Sequence, residues 1–561
     1  MFVRVKGAGK YKYLQIVENQ RVQSKIKQRV LVTLGRMDQL IESGRLDNLA
    51  RSLLRFSDKL KVVEAHREGE LKARSAVSIG PGMIFGRIWG ELGIDGIIEE
   101  LLEGRKYQFS LERAIFLTVL HRLFDPGSDR DAEIWKEDYR IEGIQGIELH
   151  HLYRAMGWIG EELPEAEQYG ATSFSPRCMK DKIEERLFER NRDLFSSVDL
   201  VFFDTTSLYF EGEGGESIGQ RGFSKDHRPD LKQMVVGVVL DGEGRPICCE
   251  LWPGNTADVK SVIPVTERLK ARFHIREVCV VADRGMISKE TLKELETPGR
   301  GTEYILGVRM RKQKEVREEI VKGGGGYEKV NPGGTQKKGC SSVLEVKEIR
   351  IEGKRYIITH NPKQGKKDAA DRESIVESLR EKMKRGEKAL IGNKGYRKYL
   401  KASGFSFSID EEKIREEASF DGRWVLRTNT ELAAADVALK YKQLWMVEHI
   451  FRSVKSILET RPIYHKCDET IRGHVFCSFL ALVLMKELQE RMEKKGFVHE
   501  WDEIRRDIQA LREVEVEKES ETYYLRTDLR GTCNDIFRSC GIGVPPSVRK
   551  QERAIIRGTR V

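Results

Sequence analysis

The 561-residue sequence predicts an α/β protein with a mixed sheet flanked by helices, a helical region before the sheet and a β-rich insertion within it. Three observations predict this class. Apolar, β-rich runs follow one another after residue 200, with a turn-forming Asp241-Gly242 pair between two of them. Helical patterns then alternate with buried strand patterns, which is typical of a sheet covered by helices. From about residue 80 to residue 195, helical patterns dominate.

Composition and charge narrow the class of protein. Hydrophobic residues make up 39% of the chain and charged residues 34%, as in globular proteins. The 99 Lys and Arg against 89 Asp and Glu give a net charge of +10, which permits a polyanionic partner without requiring one. The N-terminus lacks the apolar core of a signal peptide, and the most apolar run, 476–485, is too short to cross a bilayer. We therefore expect a cytoplasmic protein without a membrane partner.

The N-terminal 195 residues predict two regions. Residues 1–75 have alternating strand patterns rich in Lys and Arg, followed by a short charged helix. Such a basic sheet fits contact with a DNA backbone, although a solvated strand face is an equally good interpretation of any single residue. Residues 76–195 predict helices, for example the pattern that follows the candidate N-cap Ser110.

The predicted sheet region, 196–310, follows the order β-β-β-α-β-α-β. Asp204 ends the first strand pattern in "FFDTTSLYF", and Asp283 ends a later one in "VVADRGMIS". After Met310 the pattern breaks into a Gly-rich loop, a hairpin and an amphipathic helix, so residues 311–430 predict an insertion into the sheet domain. Residues 431–500 return to the domain, and residues 501–561 predict a C-terminal tail that is basic and loosely folded at its end.

The stretch 441–456 predicts one continuous helix, because it lacks Gly and Pro and carries apolar residues at helical spacing. Glu448 lies beside this apolar stripe. Tyr441, Glu448 and Lys455 recur every seven residues, with Trp445 and Arg452 between them on nearly the same face. The helix thus presents one acid among aromatic and basic residues.

Two aspartates at strand ends and a glutamate on a later helix suit a two-metal site. Mg²⁺ prefers carboxylate oxygens, and two ions about 3.5–4 Å apart can stabilise the attacking and leaving oxygens of a phosphodiester. Mn²⁺ would substitute for Mg²⁺. An isolated Asp at a strand end is more often a turn former or a helix cap, so the prediction depends on the order and spacing of Asp204, Asp283 and Glu448.

At these residues the chain resembles the bacterial insertion-sequence transposases of the DDE type, which have an RNase H-like catalytic domain. The resemblance rests on "FFDTTSLYF", on "LWPGNTADVKSVIPV" running on to "VVADRGMIS", and on the signature Y-x2-R-x3-E-x6-K. Tyr441, Glu448 and Lys455 match that signature, whereas Leu444 stands where it has Arg. The resemblance to the family is strong over residues 195–490 and looser over the N-terminal 190 residues, where it rests on "KIKQRVLVTLG".

The resemblance implies that Asp204, Asp283 and Glu448 are the catalytic, metal-binding triad, and that Tyr441 and Lys455 contact DNA near the scissile phosphate. Leu444 takes the place of the signature arginine, which is not a metal ligand in the family. A neighbour such as Lys440 or Arg452 would have to supply its DNA contact.

Other residues have two interpretations. Trp445 either stacks on an unpaired base or belongs to the core. Arg284 either reaches a phosphate or forms a salt bridge that fixes its loop. The "SKDHRPDLKQ" stretch, 224–233, is either a DNA contact through His227 and Arg228 or a solvated loop. A His/Cys cluster within residues 465–477 only weakly indicates a zinc site, because the spacing of its members does not match that of structural zinc sites. Its members are His465, Cys467, His474 and Cys477.

The sequence as a whole predicts a Mg²⁺-dependent transposase. We expect it to bind the terminal inverted repeats of its element through the regions before residue 195, to cut at both ends, and to join the free 3′-hydroxyls to target DNA as a homodimer. Two rival functions remain: another RNase H-like nuclease such as a junction resolvase, and a catalytically silent DNA-binding repressor derived from a transposase.

Overall fold

The structure is a computed structural model of the chain. The described residues fall into two units. One comprises Met1–Pro81, Glu137–Arg140 and His499–Val561, and the other Gly82–Lys136 and Ile141–Val498. The residues described are 1–22, 25–54, 56–57, 59, 61–63, 66, 72–172, 175–191, 200–257, 261–274, 278–286, 288–297, 302–322, 326–330, 343–384, 397–403, 406–518 and 521–551.

The strands and helices are numbered in chain order. The strands are β1 (Phe2–Ala8), β2 (Tyr11–Val22), β3 (Lys25–Arg36), β4 (Lys72–Ser78), β5 (Leu200–Tyr209), β6 (Gln233–Leu240), β7 (Pro246–Pro253), β8 (Val278–Ala282), β9 (Thr302–Val308), β10 (Glu328–Val330), β11 (Leu344–Ile351), β12 (Lys354–His360), β13 (Leu400–Ser403), β14 (Ser406–Ile409), β15 (Arg423–Thr428), β16 (Arg512–Lys518), β17 (Glu521–Arg526) and β18 (Val548–Lys550). The helices are α1 (Met37–Glu42), α2 (Arg45–Leu54), α3 (Gly80–Leu92), α4 (Ile94–Leu101), α5 (Leu111–Phe124), α6 (Asp129–Trp135), α7 (Leu149–Gly160), α8 (Met179–Arg190), α9 (Val262–Phe273), α10 (Lys289–Leu295), α11 (Lys314–Lys322), α12 (Pro362–Lys384), α13 (Glu411–Ala418), α14 (Ala434–Lys442), α15 (Trp445–Arg452), α16 (Asp468–Lys494), α17 (Trp501–Gln509) and α18 (Cys533–Cys540).

The unit that contains the N-terminus has two antiparallel sheets. Strands β1, β2 and β3 pair in chain order, as the alternating basic patterns predict. The second sheet has the order β18-β17-β16-β4, so strands near the C-terminus pair with β4, which precedes α3. The end of the chain was predicted as a loosely folded tail. Its described residues instead form strands and helices, because β16 alternates apolar and polar residues and its Val516 packs with Tyr523 of β17 in one buried cluster.

The other unit is built on one mixed sheet, which among the described residues has nine strands in the order β10-β11-β12-β15-β9-β8-β5-β6-β7. Strands β5, β6 and β7 form an antiparallel meander, as the Asp241-Gly242 turn predicts. The β5–β8 and β8–β9 pairs are parallel. The predicted mixed sheet flanked by helices is therefore confirmed.

The segment predicted as an insertion, 311–430, extends this sheet. Strand β15 pairs with β9, and β12, β11 and β10 follow outward. Its strands thus add an antiparallel half to the sheet, and helices α11, α12 and α13 connect them. The predicted Gly-rich loop lies mostly outside the described residues.

One face of the sheet packs against α9 and α10. Val201 and Phe203 of β5 and Val280 of β8 join Leu269 and Leu292 in this buried cluster. Because side chains alternate along a strand, the residues between them project from the opposite face. Phe202 and Asp204 of β5 are on that opposite face.

A cluster of buried charges joins α8, α9 and β7. Arg268 of α9 bonds Glu250 of β7 at 3.1 Å and Asp181 of α8 at 3.0 Å. Arg272 also pairs with Asp181, at 3.0 Å, and all four side chains are almost fully buried. Removing one partner would leave an uncompensated buried charge, so the cluster fixes both helices against the edge of the sheet.

Candidate active site

Strand register places the two predicted aspartates side by side. In the parallel β5–β8 pair, Phe202 is opposite Val281. Asp204 and Asp283 each come two residues later, so they are at the same level on neighbouring strands and on the same face. Adjacent strands are about 4.8 Å apart. Both side chains are half-buried, and they are thus brought together at the edge where β8 ends.

Asp204 does not end its strand, contrary to the sequence prediction. Strand β5 continues to Tyr209 through its antiparallel pairing with β6. What ends near Asp204 is the parallel pairing with β8, whose last residue is Ala282. Asp283 follows β8 directly, as predicted. The carboxylate of Asp204 therefore lies where β5 extends beyond its neighbour.

Tyr441 of α14 reaches this pair of acids. Its hydroxyl donates a hydrogen bond to Asp283 Oδ1 at 3.1 Å. Burial raises the pKa of Tyr441, and the charges of Asp283 and Asp204 raise it further, so the phenol stays neutral and can donate. Gly307 of β9 makes room for this ring, because a Cβ at residue 307 would overlap the Tyr441 hydroxyl oxygen. The local sequence gives no sign of this contact.

The predicted helix over residues 441–456 is interrupted. Helix α14 ends at Lys442, Gln443 and Leu444 form a turn, and α15 begins at Trp445. The reason is packing: α14 contacts β8, β9, β11 and β12, whereas α15 contacts β5, and one straight helix would not follow both. Leu444, which replaces the signature arginine, is only 7% exposed and fills the turn.

Glu448 lies on the exposed side of α15. The buried side, formed by Val447, Ile450 and Phe451, packs towards β5, as the apolar stripe predicts. The carboxylates of Asp204, Asp283 and Glu448 are not all within 4.8 Å of one another in this structure. The register of the sheet therefore joins the two aspartates, and α15 carries the glutamate beside the strand of Asp204.

Among the described residues, one group of three metal-ligand side chains does have all its ligand atoms within 4.8 Å: Asp129, His465 and His474. The cysteines of the weak zinc prediction are not part of this group. Arg122 already supplies a positive charge there, because its guanidinium is 2.9 Å from His474 Nδ1 and 3.5 Å from Asp129 Oδ1. A cation would compete with that guanidinium, so we interpret the group as a buried polar network.

Three residues predicted to contact DNA are exposed. Trp445 is 52% exposed, so the alternative that it belongs to the core is wrong. Its ring meets His449 edge to face, with 6.4 Å between the ring centres. Arg452, on the same helix, and Arg284, which follows Asp283, are also exposed.

Lys455 is positioned differently. It is on a π-helical turn, Ser453–Ile457, which follows α15 directly. Its Nζ is 2.7 Å from Asp226 Oδ1, and its side chain is 14% exposed. The sequence analysis did not predict a role for Asp226 or for its neighbour Lys225. The only signal was their place in the basic "SKDHRPDLKQ" stretch, whose candidate DNA contacts were His227 and Arg228.

The two half-buried aspartates fit a hard divalent cation. Both offer carboxylate oxygens, and the Tyr441 group that bonds Asp283 is a neutral phenol rather than a cationic side chain. Glu448 is on α15, which packs on the strand of Asp204. The donor set is therefore the oxygen set that Mg²⁺ or Mn²⁺ takes.

A family model described as "Transposase DDE domain" matches residues 197–484, which is just over half of the chain. The chain belongs to this family of transposases. A second model, "IS1634 family transposase, N-terminal domain", matches residues 3–70 of the transposase. The predicted membership of the insertion-sequence DDE transposases is thus confirmed.

Two solved transposase structures resemble the chain weakly. A cryo-EM structure of a piggyBac transposase synaptic complex with hairpin DNA is 9% identical, with a TM-score of 0.34, and the match covers 77% of this chain and 78% of that chain. A Mos1 transposase paired-end complex with the left transposon end is 14% identical, with a TM-score of 0.14, and the match covers 39% and 75% respectively. At these TM-scores neither adds to the fold assignment. No curated protein matches this transposase significantly. Within the described residues, no helix has the length and apolarity needed to cross a bilayer.

Proposed function

We propose that this transposase binds the terminal inverted repeats of an insertion sequence, hydrolyses a phosphodiester at each end and transfers the free 3′-hydroxyl to target DNA. The observation that carries the proposal is the register of β5 and β8, which places Asp204 beside Asp283 in a chain of the DDE family. In this proposal the catalytic unit is RNase H-like. The β5–β7 meander followed by the parallel strands β8 and β9 supports that architecture.

Transposase DDE domains generally use divalent metal ions. In this chain Asp204 and Asp283 would hold two Mg²⁺ or Mn²⁺ ions, with Glu448 as the third ligand. When bound, such ions lower the pKa of an attacking water or hydroxyl and stabilise the departing oxygen. Tyr441 fixes the orientation of one Asp283 oxygen through its hydrogen bond, which leaves the other oxygen available.

The exposed residues around the acids suit DNA. Trp445 offers a ring face to an unpaired base, and such stacking contributes about 1–3 kcal/mol per base. Arg284 and Arg452 are exposed and would offer guanidinium groups to backbone phosphates. The basic strands β1–β3 and the helices before residue 195 would recognise the repeats. Because two ends are processed together, the active form would be a homodimer on DNA.

The test is Mg²⁺-dependent cleavage of a duplex that carries the inverted repeats flanking the gene. Wild-type protein should nick at the repeat boundary. Asp204→Asn and Glu448→Gln should bind the duplex with wild-type affinity but cut about 10²- to 10³-fold more slowly, because transition-state charge stabilisation is lost. Glu412→Gln, an exposed glutamate on α13, is the matched control and should cut normally.

The outcomes separate the rivals. Cleavage without joining of the 3′-end to a target duplex would favour another RNase H-like nuclease. Tight binding of the repeats without cleavage in either Mg²⁺ or Mn²⁺ would favour a repressor. Equal cleavage by wild type and Glu448→Gln would remove Glu448 from the site.

A further inference from the structure

The loop before β6 is attached to the strand that carries Asp204. The backbone N–H of Lys225 donates to Ser207 Oγ at 2.9 Å. The Lys225 ammonium donates to the carbonyl of Thr205 at 2.7 Å and to its hydroxyl at 3.0 Å. Thr205 follows Asp204 directly in β5, so this loop is attached to the strand one residue beyond the first acid.

The position of Asp226 in this loop is fixed by its neighbours. Ser224 Oγ accepts hydrogen bonds from the backbone N–H groups of Asp226 at 3.3 Å and Arg228 at 3.1 Å. His227 between them has a left-handed backbone, with φ of 58°. A non-glycine residue takes that conformation where the surrounding contacts determine it. The carboxylate of Asp226 is therefore held in one place, and its side chain is only 7% exposed.

Asp226 pairs with two cations at once. Its Oδ1 is 2.7 Å from Lys455 Nζ, and its Oδ2 is 2.7 Å from Arg461 NH1. The side chains of Lys455 and Arg461 are 14% and 26% exposed. Without this carboxylate, two like charges would stand together in a partly buried place, at a cost in free energy.

The segment that contains Arg461 also runs along β5. The backbone N–H of Ile463 donates to the carbonyl of Tyr209 at 3.2 Å, and Glu211 N–H donates to the carbonyl of Ile463 at 3.0 Å. The Arg461 guanidinium is 5.5 Å from the centre of the Tyr209 ring. Arg461 is thus held beside the strand that carries Asp204.

We propose that Asp226 is a positioning residue that holds Lys455 and Arg461 as a paired clamp for a backbone phosphate of the DNA strand entering beside Asp204. The inference rests on the proposed function. Lys455 and Arg461 carry two positive charges against the single negative charge of Asp226, so these three side chains together keep a net positive charge for an anion. The partner chemistry is a phosphodiester, which each cation can contact through charge-assisted hydrogen bonds.

The test compares Asp226→Asn, Asp226→Glu, Lys455→Met and the Asp226→Asn/Lys455→Met double variant. Single-turnover cleavage of the repeat duplex is measured at saturating DNA, next to DNA affinity and thermal melting. Asp226→Asn should cleave about 10- to 100-fold more slowly, since the clamp is misplaced. It should bind DNA at least as tightly as wild type, because one negative charge is removed. Asp226→Glu should recover most of the rate, since its carboxylate can still pair with both cations.

Non-additivity identifies the route of the effect. If Asp226 acts through Lys455 and Arg461, the double variant should lose less rate than the product of the two single reductions, because only the contribution through Arg461 remains to be lost once Lys455 is gone. The matched control is Glu490→Gln, which removes a carboxylate from a comparably buried pair, Arg245–Glu490, at 2.7 Å. That variant should cleave within about twofold of wild type. Three results would each overturn the proposal. They are cleavage by Asp226→Asn at the wild-type rate, fully additive rate reductions in the double variant, and equal rate reductions in Asp226→Asn and Glu490→Gln.

A binding measurement separates failure of the clamp from failure of the proposed function. If wild type does not cleave, the salt dependence of its affinity for the same duplex is compared with that of Lys455→Met/Arg461→Met. The slope of log affinity against log salt should decrease by about 0.9 for each phosphate that the variant no longer neutralises, or about 1.8 for two phosphates. An unchanged slope would overturn the clamp, whatever the protein catalyses.

Discussion

Gly307 offers a quantitative test of the site that does not depend on activity. A methyl group at residue 307 would overlap the Tyr441 hydroxyl oxygen and lie 3.1 Å from ring atom Cζ. The hydroxyl would have to move by about 1 Å to regain an ordinary contact distance. That displacement breaks its hydrogen bond to Asp283. Removal of a hydrogen bond to a charged group costs about 1.5–3 kcal/mol, and overpacking adds about 1–3 kcal/mol. Gly307→Ala should therefore reduce the free energy of unfolding by about 2.5–6 kcal/mol.

The assay is urea unfolding of the full chain in the Tyr441 and Tyr441→Phe backgrounds. In Tyr441→Phe the overlapping oxygen is absent, so Gly307→Ala should cost no more than about half as much as in wild type. Midpoints are compared at constant denaturant slope. An equal cost in both backgrounds would refute the reasoning, since the strain would then not come from the Tyr441 hydroxyl.

Three further predictions follow from burial. Gly473→Ala should destabilise the protein by about 1–3 kcal/mol, because a Cβ at residue 473 would overlap a carbonyl oxygen of helix α7. Gly157→Ala should not destabilise it, because the space around a Cβ at residue 157 is open, and thermal melting would distinguish the two variants. Burial lowers the pKa of His121 to about 4, so the stability that the neutral ring contributes above pH 6.5 should be lost as pH falls towards 4, by about 3 kcal/mol in all. In urea titrations, His121→Phe should reduce the loss of stability at low pH by about that amount, and the part contributed by buried His474 should remain. Trp445→Ala should weaken DNA binding by about 1–3 kcal/mol with little change in melting temperature, because the Trp445 side chain is exposed. Val447→Ala should lower the melting temperature, because Val447 is fully buried.

Local sequence signals were enough to find the parts of the sheet. The Asp241-Gly242 turn predicted the meander, and short apolar runs followed by Asp predicted both acids. These features depend on a few adjacent residues, so they can be read from one sequence. The neighbour of each strand depends on the whole chain. Only the structure gives the β5–β8 register that brings Asp204 level with Asp283.

The features that the sequence analysis missed also depend on contacts between distant parts of the chain. The break at Gln443 and Leu444 has no Gly or Pro to signal it, because it arises from packing against separate strands. The contact of Tyr441 with Gly307 and the pair formed by Lys455 and Asp226 each join segments far apart in sequence. No periodicity within one segment can predict such contacts.

The three acids of the proposed site are supported in two different ways. The backbone pairing of β5 with β8 holds Asp204 and Asp283, and it leaves little freedom in their relative position along the two strands. Glu448 depends on side-chain packing of a two-turn helix, α15, which lies between the buried Leu444 and the π-helical turn that carries Lys455. Both α15 and the Asp226 loop that holds Lys455 contact β5. The strand of Asp204 is therefore also the support for Glu448, so substitutions in the apolar side of α15 should alter catalysis through the position of that helix while leaving the two aspartates in place.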